Sequence, residues 1–102
     1  MSYRVILTST AEEGLLEIAE YIALDNPTGV INFIDELTSS LRKTLSVFPL
    51  TGRQYTEIEG DIRHFPYRNY ISYYRVKEEE KLVEILYIFN AKRDVTGFLQ
   101  NL

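Results

Sequence analysis

Arg63, His64, Arg68, Arg75 and Arg93 are the side chains best equipped to act on an anion, and all lie in the second half of the chain. His64 is the sole histidine, and its imidazole can exchange a proton near neutrality. A lone imidazole beside Arg63, on a strand with alternating sides, is more often a surface residue than an acid or base. The four arginines can clamp a phosphate or a partner's carboxylate. The plain alternative for each is a surface pair with Asp61, Glu78, Glu84 or Asp94. For the four together on one sheet face, binding stands level with that alternative, because gathered like charges are unfavourable unless an anion meets them. Tyr70 and Tyr74 share one side of a strand, and Tyr73 points the other way beside Ile71 and Arg75. At least two of the group Tyr67, Tyr70, Tyr73 and Tyr74 belong to a core; the others suit a protein interface. Glu13, Glu17 and Glu20 read as a solvated helix face, and Gly52 and Gly60 as turns.

The elements that must position these residues follow from periodicity. Residues 3–7 are β-prone and form a first strand. Ser9 and Thr10, three residues before Glu12 and Glu13, offer a capping box that opens a helix. Ala11, Leu15, Ile18 and Ile22 give it one apolar stripe. Asp25-Asn26-Pro27 ends it, with Asn26 able to cap a second helix and Pro27 at that helix's first position. Val30, Phe33, Ile34, Leu37, Leu41, Leu45 and Phe48 continue at helical spacing until Pro49 and Gly52. So short a connection makes the two helices an antiparallel hairpin that still needs a covering layer. Residues 62–65, 70–76 and 82–89 are three β-prone runs, the last two joined by the charged turn at 77–81 into a hairpin. The chain leaves the sheet at Lys92-Arg93-Asp94 and ends in a weakly helical Phe98-Leu99-x-x-Leu102 tail. The fold class is α+β: an N-terminal strand and a two-helix antiparallel hairpin packed on a C-terminal antiparallel sheet.

At 102 residues with 45% hydrophobic and 25% charged side chains, the chain fits one domain spanning residues 1–102 and is not disordered or low-complexity. It has no cysteine, which removes disulfides, thiolate metal sites and a cysteine nucleophile, and suits a cytoplasmic setting. No membrane span, export signal, metal or cofactor is expected. The charge is uneven. Residues 1–41 hold one base against seven acids, and residues 42–102 hold ten bases against eight acids. Broad or sequence-specific nucleic-acid binding is therefore not expected, since it usually needs a clear cationic excess. A local basic patch remains.

Taken in order, Ala11-Glu12-x-x-Leu15-x-x-Ile18-Ala19-x-Tyr21-Ile22-Ala23-x-Asp25-Asn26-Pro27, then Phe33-Ile34 and Leu37, Phe48-Pro49-x-x-Gly52-Arg53, Ile62-Arg63-x-Phe65, Tyr70-x-x-x-Tyr74-Arg75-Val76, and Ile85-Leu86-x-Ile88 before Lys92-Arg93-Asp94 resemble the RelE/ParE toxin superfamily of bacterial type II toxin–antitoxin modules, and within it the ParE branch. The resemblance covers residues 8 to 94. It implies a cytoplasmic poison silenced by a cognate antitoxin that wraps it, with DNA gyrase as the target. The alternatives are a RelE-like ribosome-dependent nuclease that cuts messenger RNA, or a non-toxic relative that only binds an antitoxin.

RNA cleavage through the ribose 2′-hydroxyl needs a base, cations for the phosphorane and an acid for the leaving oxygen. RelE-like enzymes take these from strand lysines, two arginines and a tail tyrosine. Here the strand carries Arg63 and His64 without lysine, Ile71 follows Tyr70, and the tail position near Phe98-Leu99 has no tyrosine. Arg93 alone matches; Asn90 stands near where other members place a C-terminal histidine. No catalytic set is therefore assigned; a nuclease would have to use Arg63, His64, Arg68 and Arg93. Arg63, Arg68 and Arg93 are the expected target contacts. Antitoxin docking is expected in the outer groove of the helical hairpin and along an open sheet edge, near Tyr21 and Phe33 and at Tyr70, Tyr73 and Arg75.

Overall fold

The structure, a computed structural model, describes residues 2–56, 60–93 and 97. The elements are β1 (Arg4–Leu7), α1 (Ser9–Asp25), α2 (Val30–Val47), β2 (Arg53–Gln54), β3 (Arg63–Tyr67), β4 (Tyr70–Lys77) and β5 (Leu82–Asn90). The five strands form one sheet in the order β1-β5-β4-β3-β2. The expected α+β class holds, with one correction: the sheet is mixed. β1 runs parallel to β5, with Val5 opposite Val83 and Leu7 opposite Ile85, while the other pairs are antiparallel. The N-terminal strand thus joins the sheet, and the helical hairpin carries the chain over one face before it returns. β2 was not expected. Two residues are too few for periodicity to reveal.

Two helix starts differ from expectation. α1 is capped by Thr8, whose hydroxyl oxygen accepts from the Ala11 amide at 3.3 Å and donates to the Ile85 carbonyl at 2.9 Å. Thr8 is favoured over Ser9 and Thr10 because it ties the helix start to β5 as well. Asn26 ends α1 by donating its amide to the Ile22 carbonyl at 2.8 Å. Its side-chain oxygen then accepts from the Gly29 amide at 3.1 Å, so Pro27 lies in a turn and α2 begins at Val30.

The core lies between the hairpin and the sheet. Ala11 and Ile18 of α1 and Leu37, Leu41 and Leu45 of α2 meet Val5, Tyr74, Val83, Ile85 and Ile88. Burying such a stripe contributes about 1.5–3 kcal/mol for each large aliphatic side chain, as an upper bound. Gly14 is buried within α1, and a Cβ there would stand 2.6 Å from the Ile88 carbonyl oxygen, so the helix backbone rests directly on β5. A register shift lies between Tyr73 and Tyr74: Tyr73 faces Tyr87 and Tyr74 faces Ile85, leaving Leu86 as the extra residue. The bulge resets the alternation, so Ile85 and Ile88, three apart, both face the helices. Leu86 joins Ile62, Tyr73 and Phe89 in a second cluster on the other face.

Candidate functional site

Pairing registers decide what each candidate side chain can reach. Tyr70 and Tyr74 face the helices, and Tyr74 is fully buried. Tyr73 lies on the opposite face with Ile71 nearby, as the alternation required. Arg63 is opposite Tyr74 and His64 opposite Tyr73, so these consecutive residues lie on different faces. Arg63 donates to the carbonyls of Gly52 at 3.0 Å and Leu50 at 3.2 Å and pairs with Asp61 at 3.3 Å. It is a staple for the 49–53 loop. His64 sits against the rings of Tyr55 and Tyr73, each with its centroid 6.1 Å away. Burial, and behind it the nearby Arg53, hold its pKa below the ordinary 6.5.

The arginines are not gathered on one sheet face, which corrects the grouped reading. Arg75 pairs with Glu84 at 2.9 Å, across β4 and β5. Arg68 lies in the β3–β4 turn at φ 54°, a conformation unfavourable for a side chain with a Cβ. Its guanidinium bonds Glu36 at 3.2 Å and lies 5.5 Å from the Tyr67 ring centroid and 6.0 Å from that of Phe33. Arg93 follows β5, 4.5 Å from the Phe89 ring centroid and 3.9 Å from Glu17. Glu36 and Glu17, the partners of Arg68 and Arg93, come from the helices, where sequence spacing carries no sign of them.

The structure brings Tyr21, Phe33, Tyr70, Arg68 and Arg93 to one end of the molecule. Phe33 packs against Tyr70 and Tyr67, with centroids 5.3 and 6.1 Å apart. A largely apolar cleft of about 190 Å³ runs between Tyr21, Ile18, Ile88 and Tyr70, with Glu17 and Arg93 at its walls. A more polar one of about 340 Å³ lies between Phe33, Glu36, Arg68 and Asn69 and shares Tyr70. Burial, and then the neighbouring Tyr21, push the Tyr70 phenol above its ordinary pKa, so it is a neutral hydrogen-bond donor at physiological pH. Tyr73 and Arg75 are not part of this end. Nor is the 70–76 run an open edge, because β4 lies between β5 and β3; β1 and β2 are the edges. The hairpin's outer groove is present, about 250 Å³ and lined by Leu15, Leu16, Ala19 and Ile34 with Glu12.

Glu36 was missed by sequence reasoning, and Tyr67 was read only as one of a group of core or interface tyrosines. Tyr67 donates to Glu36 at 3.0 Å, and together they hold Arg68. Gly52, read as a turn, lies in a bend and is also a contact residue. Its amide donates to the Tyr74 hydroxyl at 2.9 Å, that hydroxyl donates to the Pro49 carbonyl at 2.8 Å, and a Cβ would stand 2.5 Å from the phenol oxygen. Among the described residues no group of three His, Cys, Asp or Glu could hold a metal ion, and no helix is long and apolar enough to cross a membrane. Asp94 and the tail at Phe98, Leu99 and Leu102 lie outside the described residues.

Residues 5–95 match the sequence model of the ParE toxin of the type II toxin–antitoxin system parDE. No curated protein matches the chain. Among solved structures it is similar to a chain of the chromosomal ParDE system from P. aeruginosa, with a TM-score of 0.74 and 17% identity over 89% of this chain and 98% of that one. It is also similar to a chain of the toxin–antitoxin complex RelBE2 from Mycobacterium tuberculosis, at 0.66 and 21% over 90% and 95%. The isolated E. coli RelE toxin gives 0.63 and 14% over 99% and 100%. At such identities these likenesses show the fold.

Proposed function

The chain belongs to the ParE toxin family of type II toxin–antitoxin systems, and from that premise we propose that it is a cytoplasmic binding poison of DNA gyrase, kept silent by a cognate antitoxin. The observation that carries the non-nuclease part is the scatter of the four residues a nuclease would need. Arg63 is engaged by loop carbonyls on the helix-facing side, and His64 lies on the other face. Arg68 and Arg93 sit at the far end of β3 and β5. Cleavage at a 2′-hydroxyl requires base, cation and acid around one phosphate, and this placement does not supply them. A poison needs only a surface that holds the target's cleaved-DNA intermediate more tightly than its resealed form.

Arg68 and Arg93 around Tyr70 supply aromatic area and positive charge, the combination favoured at energetic centres of protein interfaces. Arg63 is withdrawn from the target contacts because one of its terminal nitrogens holds the Leu50 and Gly52 carbonyls and the group pairs with Asp61. Antitoxin docking at Tyr21, Phe33 and Tyr70 would cover this end. Tyr73 and Arg75 are reached only by a segment that passes round to the opposite face. Purified chain added to gyrase should accumulate cleaved-DNA complexes and stop supercoiling, and antitoxin should reverse both. Supercoiling left intact at stoichiometric excess of free chain contradicts the proposal.

The nuclease reading keeps one favourable observation. His64 stays neutral near pH 7, able to accept a proton, and Arg53 stands opposite it in the β2–β3 pairing.

A further inference from the structure

The outward side of α2 is complementary to itself about Ser39, which is exposed near the middle of the helix. Asp35 stands four residues before Ser39 and Lys43 four after; Glu36 and Arg42 stand three before and three after. Eight residues out on either side are Ile31, 70% exposed, and Val47, 56% exposed. Acid therefore mirrors base, and aliphatic mirrors aliphatic. Helical geometry sets these pairs about 40°, 60° and 80° to either side of Ser39, so all share one half of the helix circumference. The helix dipole favours acids early and bases late, but it does not require equal spacing from one small residue or matching apolar ends. Asp35 and Lys43 make no ion pair among the described residues. Glu36 is held by Arg68 at 3.2 Å, and Arg42 donates to the Val5 carbonyl at 2.9 Å.

We propose that α2 docks on α2 of a second copy of this chain, antiparallel about a two-fold axis through Ser39. Asp35 of one copy then faces the partner's Lys43, Glu36 flanks the partner's Arg42, and Ile31 lies beside the partner's Val47. Symmetry makes every contact occur twice. The small side chain at the axis lets the helices approach to the near end of the usual range of about 8–10 Å. Charge decides among occupants. A parallel pair would set acid on acid and base on base. A nucleic acid or an anionic membrane would meet Asp35 and Glu36. The face carries both signs in a fixed order, and the surface that answers this order is the same face turned around. One helix side is a small interface and exposed ion pairs each add little, so the dimer is of the weak class, half formed at about 0.1 mM chain.

The test is sedimentation equilibrium of the full chain alone, at concentrations from about tenfold below to tenfold above that value and at low and high salt. The natural chain is compared with Asp35→Lys and with Lys43→Asp. Both positions are exposed, and unchanged thermal melting verifies that each variant is folded. Either substitution brings like charges together at both symmetric contacts and should raise the dimer dissociation constant about tenfold or more at low salt, with the difference closing at high salt. Mixed in equal amounts, the two variants should associate with each other, because one then presents only bases at these positions and the other only acids. A chain that stays monomeric throughout overturns the proposal. So does a dimer that neither variant weakens, or a pair of variants that fail to associate when mixed. Each of these results leaves the gyrase reading where it was, since that reading is tested with the target itself.

Discussion

Gly52 and Tyr74 form a lock that ties the 49–53 loop to the central strand. A methyl group at Gly52 meets a phenol oxygen whose ring is fully buried and a backbone carbonyl, so neither can retreat easily. Gly52→Ala should cost about 1–3 kcal/mol, measured as a lower urea midpoint. With Tyr74→Phe the loss should be less than additive, because the nearest of the clashing atoms is removed with the hydroxyl. At His64 the folded-state pKa lies below the ordinary 6.5, so the unfolded chain binds the proton more readily. Stability should therefore fall as pH drops below the ordinary value and level off once the folded-state value is passed. Glu84 adds a later loss in more acidic solution. The Arg75 hydrogen bond holds it below 4.5, and its contribution, present above that value, disappears as pH falls through the folded-state value. His64→Gln should remove the first loss and keep the second, read from urea midpoints across that range. The opposite directions of Tyr73 and Tyr74 were legible in the sequence because strand alternation is local. The use of Arg63 was not, because its acceptors are loop carbonyls with no side-chain signature.

At the scale of elements, the helices and the β4–β5 hairpin could be read from apolar spacing and from the charged turn at 77–81. Their ends, and the parallel pairing of β1, depend on contacts distant in sequence. Thr8 caps α1 because the Ile85 carbonyl lies beside it. The bulge at Leu86 was illegible for a related reason: β5 is apolar on both faces, so no break in alternation marks the inserted residue. Gly14 gives the sharpest test of how α1 meets the sheet. On helix propensity alone Gly14→Ala would stabilise by up to about 1 kcal/mol. Contact with the Ile88 carbonyl should reverse the sign, giving a net loss of about 1–3 kcal/mol by calorimetry or urea melting. A more stable Gly14→Ala would show that the helix can lift from β5.

For the whole molecule, the family frame was legible from motif order, and the candidate surface only in part. Tyr21, Phe33 and Tyr70 do converge with Arg68 and Arg93, because the hairpin's connecting turn and the β3–β4 turn lie at the same end. That Arg63 and His64 face opposite ways follows from the same alternation as for Tyr73 and Tyr74, whereas the distance of both from that end required the fold. The molecule therefore combines an acidic, partly apolar helical back with an aromatic, cationic end, and Arg63, His64, Arg68 and Arg93 do not converge on one point. The most direct measurement is to map RNA 5′ ends in cells producing the chain without its antitoxin. Growth should stop with messenger RNA uncut at codon boundaries. Codon-phased cuts that vanish with His64→Ala would contradict the account.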